Sequence, residues 1–468
     1  LEEVVVIEES RPFLEPQITN ILVNMPADVR PRVLGKRNGA GVEWMPSHGE
    51  LTPVIIARVL HQWIGRVHRS DAMDGWISYL DQFADNLAQP RTNVIRSPYF
   101  CSGCPHNSST KVPEGSQQLA GIGCHWLANL MDREVVTYPQ MGGEGANWAG
   151  AAHFLKDEHI FANVGDGTWY HSGSLAIRQA VAAGVTMTYK ILYNDAVAMT
   201  GGQPIDGPIS VAQITHELRG EAVARTVVVS ADPSRFDVSE FAAGTELYHR
   251  DDLGKVQREL REVKGVSVII YEQTCATELR RRRGKGLAPE PARRVFINER
   301  VCEGCGDCSV QSNCLSVQPL ETEFGRKRVI DQSACNKDFS CIKGFCPSFV
   351  TIEGGELARP AATAIADLGE LNVPEPGIRP LDGVFGMMVT GIGGTGVVTI
   401  SNLVGAAAQA EGLAIQALDL TGLAQKFGAV HCHLKIAADH GLLRSTRLSV
   451  GQCDVMIGAD IVTSASDE

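Results

Sequence analysis

Two apolar runs that end in polar, ligand-type residues constrain this chain more than any other feature. His159 to Val164 runs into Gly165-Asp166-Gly167, and Thr188 to Tyr193 runs into Asn194, with a helical stretch, Ser174 to Ala183, between them. That alternation predicts parallel strands joined by a crossover helix, which puts both endings on the carboxyl edge of one sheet. Magnesium takes oxygen ligands in near-octahedral geometry and shares them with phosphate, so few protein groups suffice. Asp166, Asn194 and the carbonyl of Ala196 supply such a set. Gly165 and Gly167 let the backbone come close to a diphosphate, and the turn Thr200-Gly201-Gly202-Gln203 is expected to aim amides at it. Gly-Asp-Gly alone is ordinarily just a turn. The second strand, Asn194 and the Thr-Gly-Gly-Gln run turn it into a magnesium-diphosphate reading.

The cysteines make a second constraint. Thirteen in a small secreted chain would read as disulfides, but here they stand in C-x2-C clusters within 468 residues and no secretory signal precedes them. Cys302-x2-Cys305-x2-Cys308, then Cys314, then Cys346-Pro347, follow the bacterial two-cluster ferredoxin spacing, in which the first triplet is completed by the distant Cys-Pro. Cys302, Cys305, Cys308 and Cys346 are expected to hold one 4Fe-4S cluster. The second triplet departs from the pattern, because Cys335-x2-Asp338-x2-Cys341 has aspartate in the middle. Cys314, Cys335 and Cys341 are expected to hold a second centre, with Asp338 as an oxygen ligand or with an open corner. A 3Fe-4S centre or none at all is the alternative.

The rest of the composition excludes classes of function. A net charge of −12 argues against nonspecific nucleic-acid binding. No apolar run reaches the roughly 18 residues of a membrane span. An acidic cytoplasmic enzyme fits, and a homo-oligomer is expected. The chain opens at Leu1 in a strand-like run, Val4 to Ile7, followed by helical stretches around Pro16 to Val23 and Pro53 to Val67, so a preceding segment is expected.

The run Asn194-Asp195-Ala196-Val197-Ala198-Met199-Thr200-Gly201-Gly202-Gln203, with Gly165-Asp166-Gly167, resembles the 2-oxoacid:ferredoxin oxidoreductases, and specifically their fused indolepyruvate branch. The resemblance implies an α/β fold in five parts. Residues 1–90 are the end of a pyrimidine-side module, transketolase C-terminal-like. Residues 96–284 are a thiamine-diphosphate-binding parallel-sheet domain, and 293–352 a ferredoxin-like α+β iron-sulfur module. A linker, 353–382, leads to the start of a gamma-type α/β domain, 383–468. It further implies that Cys101, Cys104, Cys124 and Cys275 bind the 4Fe-4S cluster nearest to thiamine, giving two or three clusters in all. His106 and His171 are the candidate catalytic side chains, and Gly142-Gly143-Glu144-Gly145-Ala146-Asn147 resembles a family loop near the cofactor.

By the same resemblance, an aryl 2-oxo acid is oxidatively decarboxylated to acyl-CoA. Thiamine diphosphate and Mg2+ are the cofactors, coenzyme A the co-substrate and ferredoxin the electron acceptor. The glutamate that activates thiamine is implied in the pyrimidine-binding part of the chain. Two rivals are a non-redox thiamine decarboxylase or synthase, which has no use for the placed cysteines, and a pure electron-transfer module, which has none for Asp166 and Asn194.

Two further motifs carry expectations. Arg280-Arg281-Arg282-Arg283 is either a hydrated charge block or a docking patch for an acidic ferredoxin or for coenzyme A phosphates. Gly391-x-Gly393-x2-Gly396, with Asp419 after the strand-like Ala414 to Leu418, superficially meets the dinucleotide fingerprint. Thr421-Gly422-Leu423-Ala424-Gln425-Lys426 resembles the gamma domain instead, where this loop is not a nicotinamide site.

Overall fold

The computed structural model describes residues 2–87, 98–207, 209–355, 374, 377, 380–422 and 427–466. Most of the expected linker and residues 423–426 of the gamma-type motif lie outside the described residues. The chain forms two compact units, 1–96 with 378–420 and 429–468, and 97–377 with 421–428.

The second unit is built on a seven-stranded sheet. Its strands are β1 (Gln118–Leu119), β2 (Val135–Thr137), β3 (Phe161–Gly165), β4 (Met187–Tyr193), β5 (Arg225–Ser230), β6 (Glu246–His249) and β7 (Val266–Glu272). Their order is β2-β1-β3-β4-β7-β5-β6 and every pairing is parallel, as the alternation of apolar runs and helical stretches predicts. β3, β4 and β7 are buried almost throughout because both faces are covered. One face packs Ile177, Ala180, Ile214 and Leu218 against Val164, Ile191 and Ile270, and the other packs Leu253, Val256 and Leu260 against Leu192, Val229 and Ile269.

The helix after β3 begins at Asp166, passes through a π-turn at Trp169–Gly173 and continues as Ser174–Ala182. Such turns are frequent at functional sites, since they insert a residue without ending the helix. In the same unit the cysteine-rich segment forms two antiparallel pairs, Arg293–Ile297 with Phe349–Glu353 and Val317–Thr322 with Gly325–Ile330. Its small core contains Val295, Ile297, Val317 and Ile330, with Cys302 and Cys308 among them.

The first unit contains a parallel pair, Glu3–Val5 with Arg32–Leu34, and the helices Pro53–Ile64 and Asp71–Leu87. It also holds a four-stranded sheet in which Val384–Ile392 lies between Ala429–Ala437, antiparallel, and Val455–Gly458, parallel. Asp419 lies within the strand Ala414–Thr421 rather than after it, and its carboxylate bonds the Cys432 thiol. The acidic residue of the dinucleotide fingerprint is thereby engaged elsewhere. No helix among the described residues is long and apolar enough to cross a membrane.

Candidate functional site

Because all seven strands point the same way, the loops after β1, β2, β3, β4 and β7 leave one edge of the sheet. They carry Gly121 to His125, Gly142 to Asn147, Gly165 to Gly167, Asn194 to Gln203 and Cys275. In open parallel sheets this edge is where ligands bind.

Asp166 is buried at its centre. Its Oδ1 accepts from the Gly167 amide at 2.9 Å, and its Oδ2 accepts from the Asn194 amide at 2.8 Å and the Asp195 amide at 2.9 Å. Burial outweighs these bonds and raises its pKa to about 6. Beside it, the Oδ1 of Asn194 is buried without a hydrogen-bond partner, and Ala196 is buried as well. A carboxylate clamped by amides next to an orphaned amide oxygen is a donor set suited to a hard cation carrying phosphate oxygens.

The Thr200 to Gln203 turn does something different from what was expected. The Gly201 and Gly202 amides donate to the Ala198 and Val197 carbonyls at 3.4 and 3.0 Å, and the Thr200 hydroxyl donates to Gln203 Oε1 at 2.8 Å. The turn closes on itself, so these two amides are not aimed at an anion. The arginine run is likewise engaged by the protein itself, although Arg280 and Arg281 are exposed. Arg281 donates to the Gly201 carbonyl at 3.0 Å, Arg282 pairs with Asp195 at 2.8 Å, and Arg283 donates to the Asn336 carbonyl at 2.8 Å. Arg280 donates to the Ser333 carbonyl. The block therefore ties the Asn194 to Gln203 loop and the cysteine-rich segment to one helix, Ala276–Gly284.

The structure brings together the four dispersed cysteines. The Cys104 thiol is pushed well above its usual range by burial and by the neighbouring Cys101, Cys124 and Cys275. Cys275 packs with Ala196, Ala198 and Cys124, and its amide donates to the Asn194 carbonyl at 3.0 Å. The cysteine set and the cation-type set thus share a wall.

His106, in the short helix His106–Ser109, is buried, with its ring edge-on to His125 at 5.7 Å between centroids. His171 is exposed and its Nδ1 lies 2.6 Å from the Ser172 hydroxyl.

Two further side chains stand at this edge, of which His125 was in no motif and Glu144 only one member of the Gly142 to Asn147 run. His125 Nε2 and Glu144 Oε1 are buried without hydrogen-bond partners. Burial holds His125 neutral and raises the Glu144 carboxyl. Both crowd Gly121, where a Cβ would stand 2.8 Å from His125 Nε2, 2.9 Å from Glu144 Cγ and 2.3 Å from the Asn163 carbonyl oxygen. The signal was present as a histidine adjoining a ligand-type cysteine and an acid inside a glycine run.

In the cysteine-rich segment, Cys302, Cys305, Cys308 and Cys346 line one cavity of about 330 Å3. Cys314, Cys335 and Cys341 line another with Asp338, of about 20 Å3, room for roughly one water. Cys341 is pushed up to about 12 by burial and by Cys314 and Cys335. Asp338, for which an oxygen-ligand role or an open corner was expected, is engaged by the protein itself. Its Oδ1 pairs with Arg250 and accepts from Gln273 Nε2 at 3.0 Å, while its Oδ2 accepts from the Ser340 hydroxyl. Among the described residues, no three or more His, Cys, Asp or Glu side chains converge tightly enough for a single metal ion. A cluster, whose thiolates bind different corners, has no need of that convergence.

This edge and sheet define a thiamine-type α/β domain, and comparison with known proteins agrees. Residues 121–271 match the family described as "Thiamine pyrophosphate enzyme, C-terminal TPP binding domain", and residues 386–467 match "Pyruvate ferredoxin/flavodoxin oxidoreductase". Among individual proteins, the chain is similar to indolepyruvate oxidoreductase subunit IorA of Archaeoglobus fulgidus, 29% identical over 74% of this chain and 51% of that one. It is also similar to IorA of Thermococcus kodakarensis, 25% identical over 76% and 54%. The resemblance to the indolepyruvate branch therefore stands, and the chain spans about half the length of the curated relatives it matches. A solved 2-oxoglutarate:ferredoxin oxidoreductase from Magnetococcus marinus aligns at 18% identity over 39% of this chain and 66% of its own, with a TM-score of 0.30, too loose to carry an argument.

Proposed function

We propose that this chain is the thiamine-binding and electron-relay part of an enzyme that oxidatively decarboxylates an aryl 2-oxo acid. In the full reaction the 2-oxo acid, coenzyme A and two oxidised ferredoxins give acyl-CoA, carbon dioxide, a proton and two reduced ferredoxins. Thiamine diphosphate, when bound, supplies an electron sink for the bond to the departing carboxylate. Asp166, Asn194 and the Ala196 carbonyl hold its Mg2+, and the parallel-sheet edge orients it. His106, buried beside His125, is the candidate hydrogen-bond donor near the thiazolium or the substrate carboxylate. His171 takes no part in this reading, since it is exposed and engaged by Ser172.

Cys101, Cys104, Cys124 and Cys275 hold the iron-sulfur centre nearest to thiamine. Cys302, Cys305, Cys308 and Cys346 hold a second, and three thiolates, Cys314, Cys335 and Cys341, remain for a third. The observation that carries this reading is the shared wall of Asn194, Ala196, Cys124 and Cys275. In this reading a two-electron organic cofactor lies beside a one-electron carrier, which that wall supports. A non-redox thiamine enzyme gains nothing from that wall, and an electron-transfer module gains nothing from Asp166.

The test is iron and thiamine assayed on one anaerobic preparation. Both are expected, with one cluster's iron missing from Cys104→Ala. Thiamine without iron supports the first rival, iron without thiamine the second, and unchanged iron in Cys104→Ala refutes the four-cysteine set.

A further inference from the structure

We propose that Asp338, which stands where the ferredoxin spacing calls for a cluster ligand, is instead the pin that holds the second cysteine loop of the relay module on the parallel-sheet domain, beside the Cys101 to Cys104 loop that the adjoining Asn336 contacts, leaving Cys314, Cys335 and Cys341 as that centre's protein ligands. This deepens, and rests on, the iron-sulfur reading proposed for both cysteine sets.

Three independent observations converge on Asp338. Its carboxylate is paired with Arg250 in a nearly closed environment, with 13% and 12% of the two side chains exposed. The pair is reinforced from the same guanidinium, whose Nη2 donates to the Asp338 carbonyl at 2.7 Å, and by Gln273 at 3.0 Å. Arg250 and Gln273 belong to the parallel-sheet domain, at the ends of β6 and β7, so the bonds tie two parts of the unit together. Ligation through Oδ1 would strip a buried guanidinium of its carboxylate partner, which is among the costlier changes in a folded chain, and ligation through Oδ2 would displace the Ser340 hydroxyl.

The neighbouring backbone is shaped for the same contact. Lys337 and Phe339, on either side of Asp338, are both left-handed, with φ of +56° and +62°. Between them the Asp338 carboxylate reaches Arg250 with one oxygen, and the Ser340 hydroxyl holds the other.

The Cys101 to Cys104 loop meets this loop directly. Asn336 Nδ2 donates to the Ser102 carbonyl at 2.8 Å. Gly103, with φ of +66°, faces the same spot, and a Cβ there would lie 3.0 Å from Asp338 Cβ and 3.2 Å from Asn336 Cβ. Gly103 also contributes to the wall of the small space lined by Cys314, Cys335 and Cys341. A side chain at 103 would push the two cysteine loops apart.

The experiment compares the anaerobically prepared chain with Asp338→Asn, Arg250→Met and Gly103→Ala. Asp338→Asn is isosteric, and Gly103→Ala leaves both Asp338 and every cysteine in place. Three readouts are taken: iron per chain, the magnetic interaction between neighbouring reduced centres in electron paramagnetic resonance, and amide exchange at 101–104 and 335–341. All three variants are expected to keep their iron, to lose or weaken the interaction, and to exchange about tenfold faster or more at both loops. A purely structural residue remote from the centres would leave the interaction intact. Loss of the second centre's iron in Asp338→Asn but not in Arg250→Met makes Asp338 a ligand and overturns the proposal, as does unchanged exchange in all three. Should the native module contain no iron at Cys314, Cys335 and Cys341, the iron reading fails there and the three-ligand part of the proposal with it. The exchange data still decide the pin.

Discussion

Asp166→Asn separates what the buried carboxylate costs the ligand-free fold from what it does for a cation. Raising Asp166 from its usual value near 3.8 to about 6 corresponds to about 3 kcal/mol of penalty on the charged form at neutral pH. Asparagine removes that penalty. It also has one acceptor oxygen where the carboxylate has two. With that oxygen facing the Asn194 and Asp195 amides, its NH2 must face the Gly167 amide. One charge-assisted bond is lost and a donor is left unsatisfied, at about 1.5–3 kcal/mol. The two effects nearly cancel, so the ligand-free variant is expected within about 1–2 kcal/mol of the parent.

Cation binding has no such compensation. A full charge about 4 Å from another is worth about 4 kcal/mol at the effective dielectric of protein sites, and magnesium is divalent, so affinity should fall at least a hundredfold. The folded pKa lies above the unfolded one, so between pH 6 and about 4 the native state takes up the proton first. The ligand-free parent therefore gains stability as pH falls through that window, whereas its magnesium affinity weakens; Asp166→Asn shows neither trend. Calorimetric titration with thiamine diphosphate and Mg2+, beside thermal unfolding of both chains across that range, checks each part. Retained affinity within about tenfold, or a stability loss well beyond 3 kcal/mol, would refute the reasoning.

Three other outcomes are expected. Burial lowers Lys190, whose Nζ donates to the Ser109 carbonyl at 2.7 Å, to about 7. A folded pKa below the unfolded one means that stability climbs from pH 7 toward about 10, by on the order of 4 kcal/mol, and Lys190→Met should abolish that slope in urea titrations; parallel slopes would count against it. Gly121→Ala forces a Cβ to within 2.3 Å of the Asn163 carbonyl oxygen and should cost about 1–3 kcal/mol in thermal unfolding, with iron lost from the Cys124 set. Arg282→Gln removes the partner of Asp195, so thiamine diphosphate should bind several-fold more weakly while the salt dependence of ferredoxin reduction stays the same; the opposite pattern would support the docking patch.

The linear spacing of residues was enough for the parallel sheet and for the candidate ligand groups. Strand-ending Asp166 and Asn194, and the triplet from Cys302 to Cys308, are local patterns: a short loop or a strand end places its own members, whatever surrounds it. The partners of Asp338, the arginine run and the Thr200 to Gln203 turn were decided only by tertiary structure. A carboxylate, a guanidinium or an amide N–H has one set of bonds to give, and residues far away in sequence, such as Arg250 for Asp338 and Asp195 for Arg282, can claim them first. His125 and Glu144 belong to the same class. That their polar atoms are buried without partners is a property of what packs around Gly121, and no spacing along the chain expresses it.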